Sequence, residues 1–337
     1  MDHIPFGRTG LMVSKLALGT ATFGTGWGYG ADAATGAAIL NAYDEAGGNF
    51  IDTADVYQFG QSEEILGTLL DGRRERFVLA TKFANGAAAG ADRLVTGNSR
   101  KAMIASIEAS LRRLRTDRVD LLWVHHPDGV TPAEEIVRGL DDLARAGKIL
   151  FGGLSNFPAW RLARAATLAE MGRAAPIAAA QFEHSLVHRA PEADLFPAAR
   201  ALGLGIVTWS PLGGGVLTGK YRRGETGRAE ALGGRVFQAE NTAQRSAVVD
   251  TVLDIAGARG VAPDQVAIAW AARHPSVPLL GPRTLDQLKS NLAALALALS
   301  GEELARLDAA SAHQGSLLPE VAAQFADRPQ AGALPVA

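Results

Sequence analysis

Four side chains that can take part in proton transfer follow three short apolar runs in the first 125 residues. Asp52 ends one run and is followed by Tyr57, Lys82 ends the next, and His125 ends the third. A phenol titrates near pH 10, so it acts as an acid or base at neutral pH only where a nearby ammonium favours the phenolate. Lys82 supplies that ammonium, and Asp52 would pair with it to keep it charged. With His125 to orient an oxygen, this set predicts proton transfer at a carbonyl or alcohol.

The elements that position these residues follow from an alternation of short apolar runs with longer amphipathic stretches, which is typical of βα repeats and a parallel sheet. Eight strands and no compositional break predict an α/β fold of one domain, a (β/α)8 TIM barrel over residues 1–337, rather than two open sheets. The active site of such a barrel lies at the carboxyl ends of its strands, so the ends of the second, third and fourth strands must converge. The predicted strands are 15–18, 49–52, 77–82, 119–125, 150–154, 177–180, 205–209 and 277–280.

Three segments fall outside the repeat. Residues 1–14 are predicted to form a hairpin that caps the bottom of the barrel, and residues 210–245 to lie on the catalytic side. Extra helices are expected near the C-terminus, before a tail at 311–337 that is rich in Pro, Gly and Ala. Thr131, followed by Pro132, Ala133 and Glu134, predicts a capping box at the start of one helix.

The composition excludes several classes of function. The 337 residues carry a formal net charge of -2 without a massed basic segment, so no nucleic-acid partner is expected. There is no cysteine, and the seven histidines lack ligand spacing, so no metal site is expected. With no signal peptide and no apolar run of about 18 residues, the chain is expected in the cytoplasm with a small-molecule substrate and no membrane partner.

Several motifs follow one another in a specific order along nearly the whole chain. Three of them contain the four residues above: NFIDTADVYQFGQSEEILG (49–67), VLATKF (78–83) and VDLLWVHHPD (119–128). Four more follow: GGLSNF (152–157), AQFEHSLVHR (180–189), VTWSPLGGGVLTGKY (207–221) and LLGPRTLDQLKSNL (279–292). In this order the motifs resemble those of the aldo-keto reductase superfamily. The order and spacing of the motifs together are specific, whereas any one of them alone would be weak.

The resemblance implies an NADPH-dependent reductase of aldehydes or ketones, acting reversibly, with Asp52, Tyr57, Lys82 and His125 as its catalytic residues. Tyr57 would be the general acid in reduction. The residues assigned in this way to NADPH/NADP+ are Gly19, Thr20, Asp52, Ser155, Asn156, Gln181, Trp209, Ser210, Pro211, Leu212, Gly214, Lys220, Gly281, Arg283, Thr284, Gln287 and Asn291. The expected substrate pocket consists of Trp27, Tyr57, Phe83, His125 and His126, together with residues 224–240.

Alternatives stay open at this point. A buried Lys–Asp pair can be purely structural, and a loop tyrosine can simply pack. A regulatory subunit of the same fold, similar to potassium-channel β chains, would bind NADPH with little turnover. His184 stands where this family usually has a tyrosine between Glu and Ser, and the sequence assigns it no role. The substrate and the oligomeric state are not predicted.

Overall fold

The structure is a computed structural model, and it describes residues 1–92, 94–225 and 238–312. Eight parallel strands form a barrel: β3 (Ala17–Gly19), β4 (Phe50–Asp52), β5 (Val78–Phe83), β6 (Val119–Val124), β7 (Ile149–Ser155), β8 (Ile177–Glu183), β9 (Gly205–Trp209) and β10 (Val277–Leu280). The barrel closes in the order β10-β3-β4-β5-β6-β7-β8-β9, which confirms the (β/α)8 prediction.

Helices pack around the barrel, and their apolar faces form a core layer with the outward side chains of the strands. In the described residues, no helix is both long and apolar enough to cross a membrane. The helices are α1 (Ala33–Glu45), α2 (Gln61–Leu69), α3 (Arg100–Leu114), α4 (Ala133–Arg145), α5 (Ala159–Met171), α6 (Leu195–Ala201), α7 (Ala243–Arg259), α8 (Pro263–Ala272), α9 (Leu285–Ala293) and α10 (Gly301–Ala310).

All eight predicted strands occur, and the differences lie at their ends. β7 and β8 run on to Ser155 and Glu183, so residues assigned to the cofactor lie inside strands rather than after them. The capping-box prediction at Thr131 is wrong: the N-cap of α4 is Pro132, which makes no side-chain cap hydrogen bond. The Thr131 hydroxyl instead donates to Asp128 at 2.6 Å. The Thr131 amide donates to the same carboxylate at 2.8 Å, so Asp128 holds the turn before the helix.

A two-stranded antiparallel hairpin, β1 (His3–Pro5) with β2 (Met12–Ser14), precedes the barrel. Its turn lies against the start of β9, where the Arg8 amide donates to the Gly203 carbonyl at 2.8 Å. Gly7 allows this approach, since its φ is +58° and a Cβ there would lie 2.3 Å from the Gly205 nitrogen. Residues 313–337 of the predicted tail lie outside the described residues, as do residues 226–237 of the catalytic-side segment.

The alternation of side chains along the strands explains how the catalytic candidates meet. On β6, Leu122 and Val124 pack towards the helices, whereas Leu121 and Trp123 point into the barrel. His125 is the next residue on the inward side of this alternation. Gly153 on β7 makes room for the Trp123 ring, because a Cβ there would lie 2.5 Å from it.

Candidate active site

Lys82 lies at the centre of the site and is buried at the carboxyl end of the barrel. Its Nζ donates to Asp52 Oδ2, to the Thr53 carbonyl at 3.0 Å and to the Tyr57 hydroxyl at 3.1 Å. The ammonium therefore has one acceptor for each of its three hydrogens. Burial opposes its charge, but Asp52 and Tyr57 outweigh that cost and raise the pKa of Lys82 above its ordinary value. The predicted convergence of these three side chains is present in the structure.

The Tyr57 loop takes an unusual path after β4, and Gln58 stabilises that path. Gln58 has a left-handed backbone, with φ of 53°, and its side chain is buried. Its Nε2 donates to the carbonyls of Ala21 and Tyr29, both at 2.9 Å, and its Oε1 accepts from the Trp27 amide at 2.9 Å. These hydrogen bonds tie the loop after β3 to the loop that carries Tyr57.

His125 is neutral at the site. Burial is the largest cause that lowers its pKa well below the ordinary value, and the neighbouring Lys82 and His126 lower it further. Its ring lies edge-on to the Tyr57 ring, with 5.9 Å between the centroids. A neutral imidazole next to a tyrosine hydroxyl can donate a hydrogen bond to an oxygen but does not compete with the phenol as the proton source.

Asn85 was missed by the sequence reasoning and lies between two histidines. Its Nδ2 is 3.2 Å from His125 Nδ1, and its Oδ1 is 2.8 Å from His126 Nε2. The available signal was a polar residue three positions after Lys82, just past the same strand. Gln58 was also missed, because a glutamine beside a predicted catalytic tyrosine gives no sign of its buried contacts.

The residues assigned to the nicotinamide lie together at the ends of β7, β8 and β9. Gln181 Nε2 donates to Asp52 Oδ1 at 3.0 Å, which links this group to the catalytic carboxylate. Asn156 has a left-handed φ of 60°; its Nδ2 donates to the His125 carbonyl at 2.9 Å and its Oδ1 accepts from Trp209 Nε1 at 3.1 Å. Ser155 is buried next to it and accepts from Asn156 Nδ2 at 3.0 Å.

The glycine-rich segment 210–215 follows β9 with a run of left-handed residues. Ser210, Gly213, Gly214 and Gly215 have φ values of 57°, 56°, 68° and 96°. Backbone of this kind can direct successive N–H groups towards an anion. Lys220 crosses over this segment, since a Cβ on Gly215 would lie 2.7 Å from the Lys220 Cε. Two more residues assigned here are Pro211, which is buried, and Leu212, which is half-buried.

Arg283, after β10, carries a donor that an anion could satisfy. Its Nε is buried and has no partner among the described residues, and its guanidinium lies 4.5 Å from the centroid of the Tyr29 ring. Thr284 caps α9 by accepting from the Gln287 amide, and Gln287 Oε1 accepts from the Arg283 amide at 2.8 Å. These contacts hold the backbone at Arg283 in place.

The other residues assigned to the cofactor lie at the edges of this region. Gly19 ends β3, and a Cβ on it would lie 3.1 Å from the Leu280 carbonyl oxygen. Thr20 is buried and its amide donates to the Asp52 carbonyl at 2.9 Å. Gly281 is exposed, whereas Asn291 is buried and donates to Asp264 at 2.7 Å.

The residues expected to line a substrate pocket do not all lie at the site. The Trp27 ring lies edge-on to the Tyr57 ring, with 6.2 Å between the centroids, and His126 is half-buried beside His125. Phe83 is only 1% exposed and packs in the core layer between barrel and helices, because it follows the inward-pointing Lys82 on β5. Of the segment 224–240, residues 226–237 lie outside the described residues.

His184 belongs to a separate cluster that the sequence did not predict. One ligand-type atom each from His184, Glu192 and His274 lies within 4.8 Å of the other two. Glu192, however, already accepts from Arg189 through both carboxylate oxygens, at 2.8 and 2.7 Å, and from His184 at 2.8 Å. Although burial opposes its charge, these donors lower the pKa of Glu192 to about 2. The His184 ring stacks on Trp270, and the carboxylate of this cluster is paired with Arg189.

Comparison with known proteins places the chain in a family. The model of the aldo/keto reductase family matches residues 15–312. The chain belongs to the aldo/keto reductase family. An uncharacterized oxidoreductase of Bacillus subtilis, YrpG, is 34% identical over 95% of this chain and 99% of the relative. A probable voltage-gated potassium channel subunit beta of rice is 35% identical over 88% of this chain and 91% of the relative.

A third relative of this aldo/keto reductase is the aryl-alcohol dehydrogenase [NADP(+)] of Phanerodontia chrysosporium. It is 34% identical over 88% of this chain and 82% of its own length. The family assignment made from the sequence is thus confirmed, and the chain is an oxidoreductase.

Proposed function

We propose that this aldo/keto reductase is an NADPH-dependent enzyme that reduces an aldehyde or ketone to the alcohol and also catalyses the reverse oxidation. The observation that carries the proposal is the contact of Lys82 Nζ with the Tyr57 hydroxyl at 3.1 Å, with Asp52 on the other side of the ammonium. A buried lysine ammonium in contact with a phenol stabilises the phenolate that forms when the phenol gives up its proton. A tyrosine that only packs has no such group next to its hydroxyl.

Reduction requires a hydride at the carbonyl carbon and a proton at the carbonyl oxygen. Bound NADPH would supply the hydride. In the proposed reaction Tyr57 gives its hydroxyl proton to the oxygen, and the Lys82 ammonium stabilises the phenolate that remains. Neutral His125 donates a hydrogen bond to the same oxygen, and Asp52 keeps the Lys82 ammonium charged. In the oxidation, the phenolate takes the proton back from the alcohol.

The cofactor-binding residues of the proposal form three groups. Ser155, Asn156 and Gln181 would hold the carboxamide of the nicotinamide, and Trp209 would stack on its ring. The left-handed segment 210–215 with Lys220 would hold the pyrophosphate. NADPH is preferred to NADH in this proposal because the buried Arg283 Nε, which has no partner among the described residues, suits an additional phosphate.

The test is NADPH oxidation by the purified protein with a panel of aldehydes, ketones and keto-sugars. An aromatic aldehyde is the first probe, since one relative is named as an aryl-alcohol dehydrogenase and the Trp27 ring lies next to Tyr57. Tyr57→Phe is expected to abolish turnover but to bind NADPH as tightly as the wild type in a fluorescence titration. Equal turnover by the two proteins would refute the role of Tyr57. Tight NADPH binding without turnover of any carbonyl would instead favour a subunit that binds NADPH without catalysis; one relative is named a probable voltage-gated potassium channel subunit beta.

A further inference from the structure

Asn85 joins the two adjacent histidines of the site through one amide group. Its Nδ2 faces His125 Nδ1 at 3.2 Å, and its Oδ1 faces His126 Nε2 at 2.8 Å. An amide nitrogen only donates and an amide oxygen only accepts. In this arrangement His125 Nδ1 must therefore be a lone pair, and His126 Nε2 must carry a hydrogen.

The backbone around Asn85 is held in an unusual conformation. Ala84 has a φ of 131°, a value that residues with a side chain rarely adopt. The strained residue is anchored, because the Gly97 amide donates to the Ala84 carbonyl at 2.8 Å and the Gly86 amide donates to Asp55 Oδ2 at 3.1 Å. Such strain persists where the surrounding contacts demand it, and it marks functional positions. The residue that follows Ala84 is Asn85, whose side chain contacts both rings.

The tautomer of His125 matters because the ring is neutral. Burial, Lys82 and His126 all lower the pKa of His125, so the ring carries a single N–H. If that hydrogen were on Nδ1, Nε2 would present a lone pair to a carbonyl oxygen and repel it. With Nδ1 engaged by Asn85, the hydrogen is on Nε2 and can be donated.

We propose that Asn85 is a positioning residue that fixes His125 as the Nε2–H tautomer, so that His125 donates a hydrogen bond to the carbonyl oxygen of the substrate. The tautomer depends only on the contacts within the chain, whereas its use on a carbonyl rests on the proposed function. Asn85 acts through His125, and His126 orients the Asn85 amide by donating to its oxygen.

The tautomer is tested by long-range ¹H–¹⁵N correlation spectra of the full chain labelled with ¹⁵N-histidine. His125→Gln identifies the His125 signals. In the wild type, Nδ1 of His125 is expected to show the shift of an unprotonated ring nitrogen, and Nε2 that of a protonated one. A wild-type spectrum with the hydrogen on Nδ1 overturns the proposal, and this measurement needs neither NADPH nor turnover.

Asn85→Asp reverses the hydrogen bond with almost no change of shape. A carboxylate only accepts, so His125 must then donate from Nδ1, and the neutral ring presents a lone pair at Nε2. Turnover of a carbonyl probe is expected to fall on the order of 100-fold at about pH 8, as for the loss of one oxyanion donor. It is expected to recover at acid pH, where a doubly protonated His125 donates through both nitrogens. The Kd for NADPH is expected to stay unchanged.

Ala88→Asp is the matched control, because it places the same charge three residues along the same loop at an exposed position. It is expected to keep the wild-type tautomer, turnover and pH profile. If Asn85→Asp and Ala88→Asp behave alike, or if the His125 tautomer is the same in Asn85→Asp as in the wild type, the proposal is wrong. If the spectra agree with the proposal but neither the wild type nor any variant reduces a carbonyl, the proposed function fails and the tautomer assignment stands.

Discussion

Replacement of Asp55 by asparagine is expected to stabilise the protein at neutral and alkaline pH. Asp55 is 1% exposed; its Oδ2 accepts from the Gly86 amide and the Ser106 hydroxyl, both at 3.1 Å. Its Oδ1 has no partner among the described residues. Burial is the largest cause, and the nearby Glu63 the second, that raise the pKa of Asp55 from 3.8 to about 6.

The magnitude follows from this pKa. A group whose folded-state pKa is raised favours the folded state below its unfolded pKa and loses that contribution as pH rises through the folded value. The rise from 3.8 to about 6 corresponds to ~3 kcal/mol by pH 8. The asparagine side chain removes this cost but buries an amide nitrogen without a partner, which costs ~1–2 kcal/mol. The net gain for Asp55→Asn at pH 8 is therefore about 1–2 kcal/mol. It falls to zero at about pH 5 and becomes a loss of ~1 kcal/mol at about pH 4, because the amide cost remains after Asp55 is protonated in the folded state.

The assay is urea unfolding of Asp55→Asn and the wild type at several pH values between about 4.5 and 8. Asp128→Asn is a control of opposite sign. Although burial opposes ionisation there, hydrogen bonds from Thr131, Asn98 and Val130 lower the pKa of Asp128 to about 2. That variant is expected to lose stability by an almost constant amount across this pH range, because a carboxylate with a lowered pKa loses its contribution only as pH falls from the unfolded value of 3.8 towards about 2. A difference between Asp55→Asn and the wild type that does not change with pH would refute the reasoning.

Three further predictions concern the site. Lys82→Met is expected to cost at least ~100-fold in kcat and ~3–5 kcal/mol in the free energy of unfolding, because it leaves Asp52 buried and unpaired. The double variant with Asp52→Asn should recover the stability but not the turnover, and recovered turnover would contradict the proposed role of the lysine. Gln58→Leu is expected to raise KM for the carbonyl more than it lowers kcat, since it frees the backbone at Trp27; unchanged kinetics would show that the tie is dispensable. Arg283→Met is expected to raise the Kd for NADPH about 10- to 100-fold and leave that for NADH unchanged, as measured by fluorescence titration; an equal loss for both would remove the argument for NADPH.

The fold could be predicted from the sequence because the spacing of hydrophobic residues and the residues typical of turns and helix ends determine local structure. Asp32 and Ser99 cap α1 and α3, as is typical of Asp and Ser directly before a helix. The prediction failed at Thr131, where the same local signal was present. The Thr131 hydroxyl donates to Asp128 instead of capping the helix, and the Thr131 amide donates to the same carboxylate. The contacts of this turn therefore override the capping signal in the sequence.

The catalytic candidates could also be located from the sequence, since side chains at the carboxyl ends of adjacent parallel strands must converge. The residues that support them, Gln58 and Asn85, could not be located from the sequence. Gln58 contacts Ala21, 37 positions away, and Asn85 contacts His126, 41 positions away. Such contacts depend on the paths of two loops and on left-handed backbone at residues other than glycine, which no local pattern predicts. Phe83 was expected at the pocket, but it follows the inward-pointing Lys82, and the alternation of side chains along the strand turns it to the other face.

The contacts of Lys82 link the chemistry of the site to the stability of the fold. The three hydrogens of the ammonium match three acceptors, and the other oxygen of Asp52 accepts from Gln181 Nε2 at 3.0 Å. Loss of one partner leaves a buried charge or donor uncompensated, and the cost spreads to residues on β4, β5 and β8. Loss of turnover in a variant of Asp52, Lys82 or Gln181 therefore has two physical causes. One is the loss of the group from the chemistry, and the other is the destabilisation of the folded site. Only variants that keep the charge balance, such as the double replacement of Lys82 and Asp52, separate the two causes.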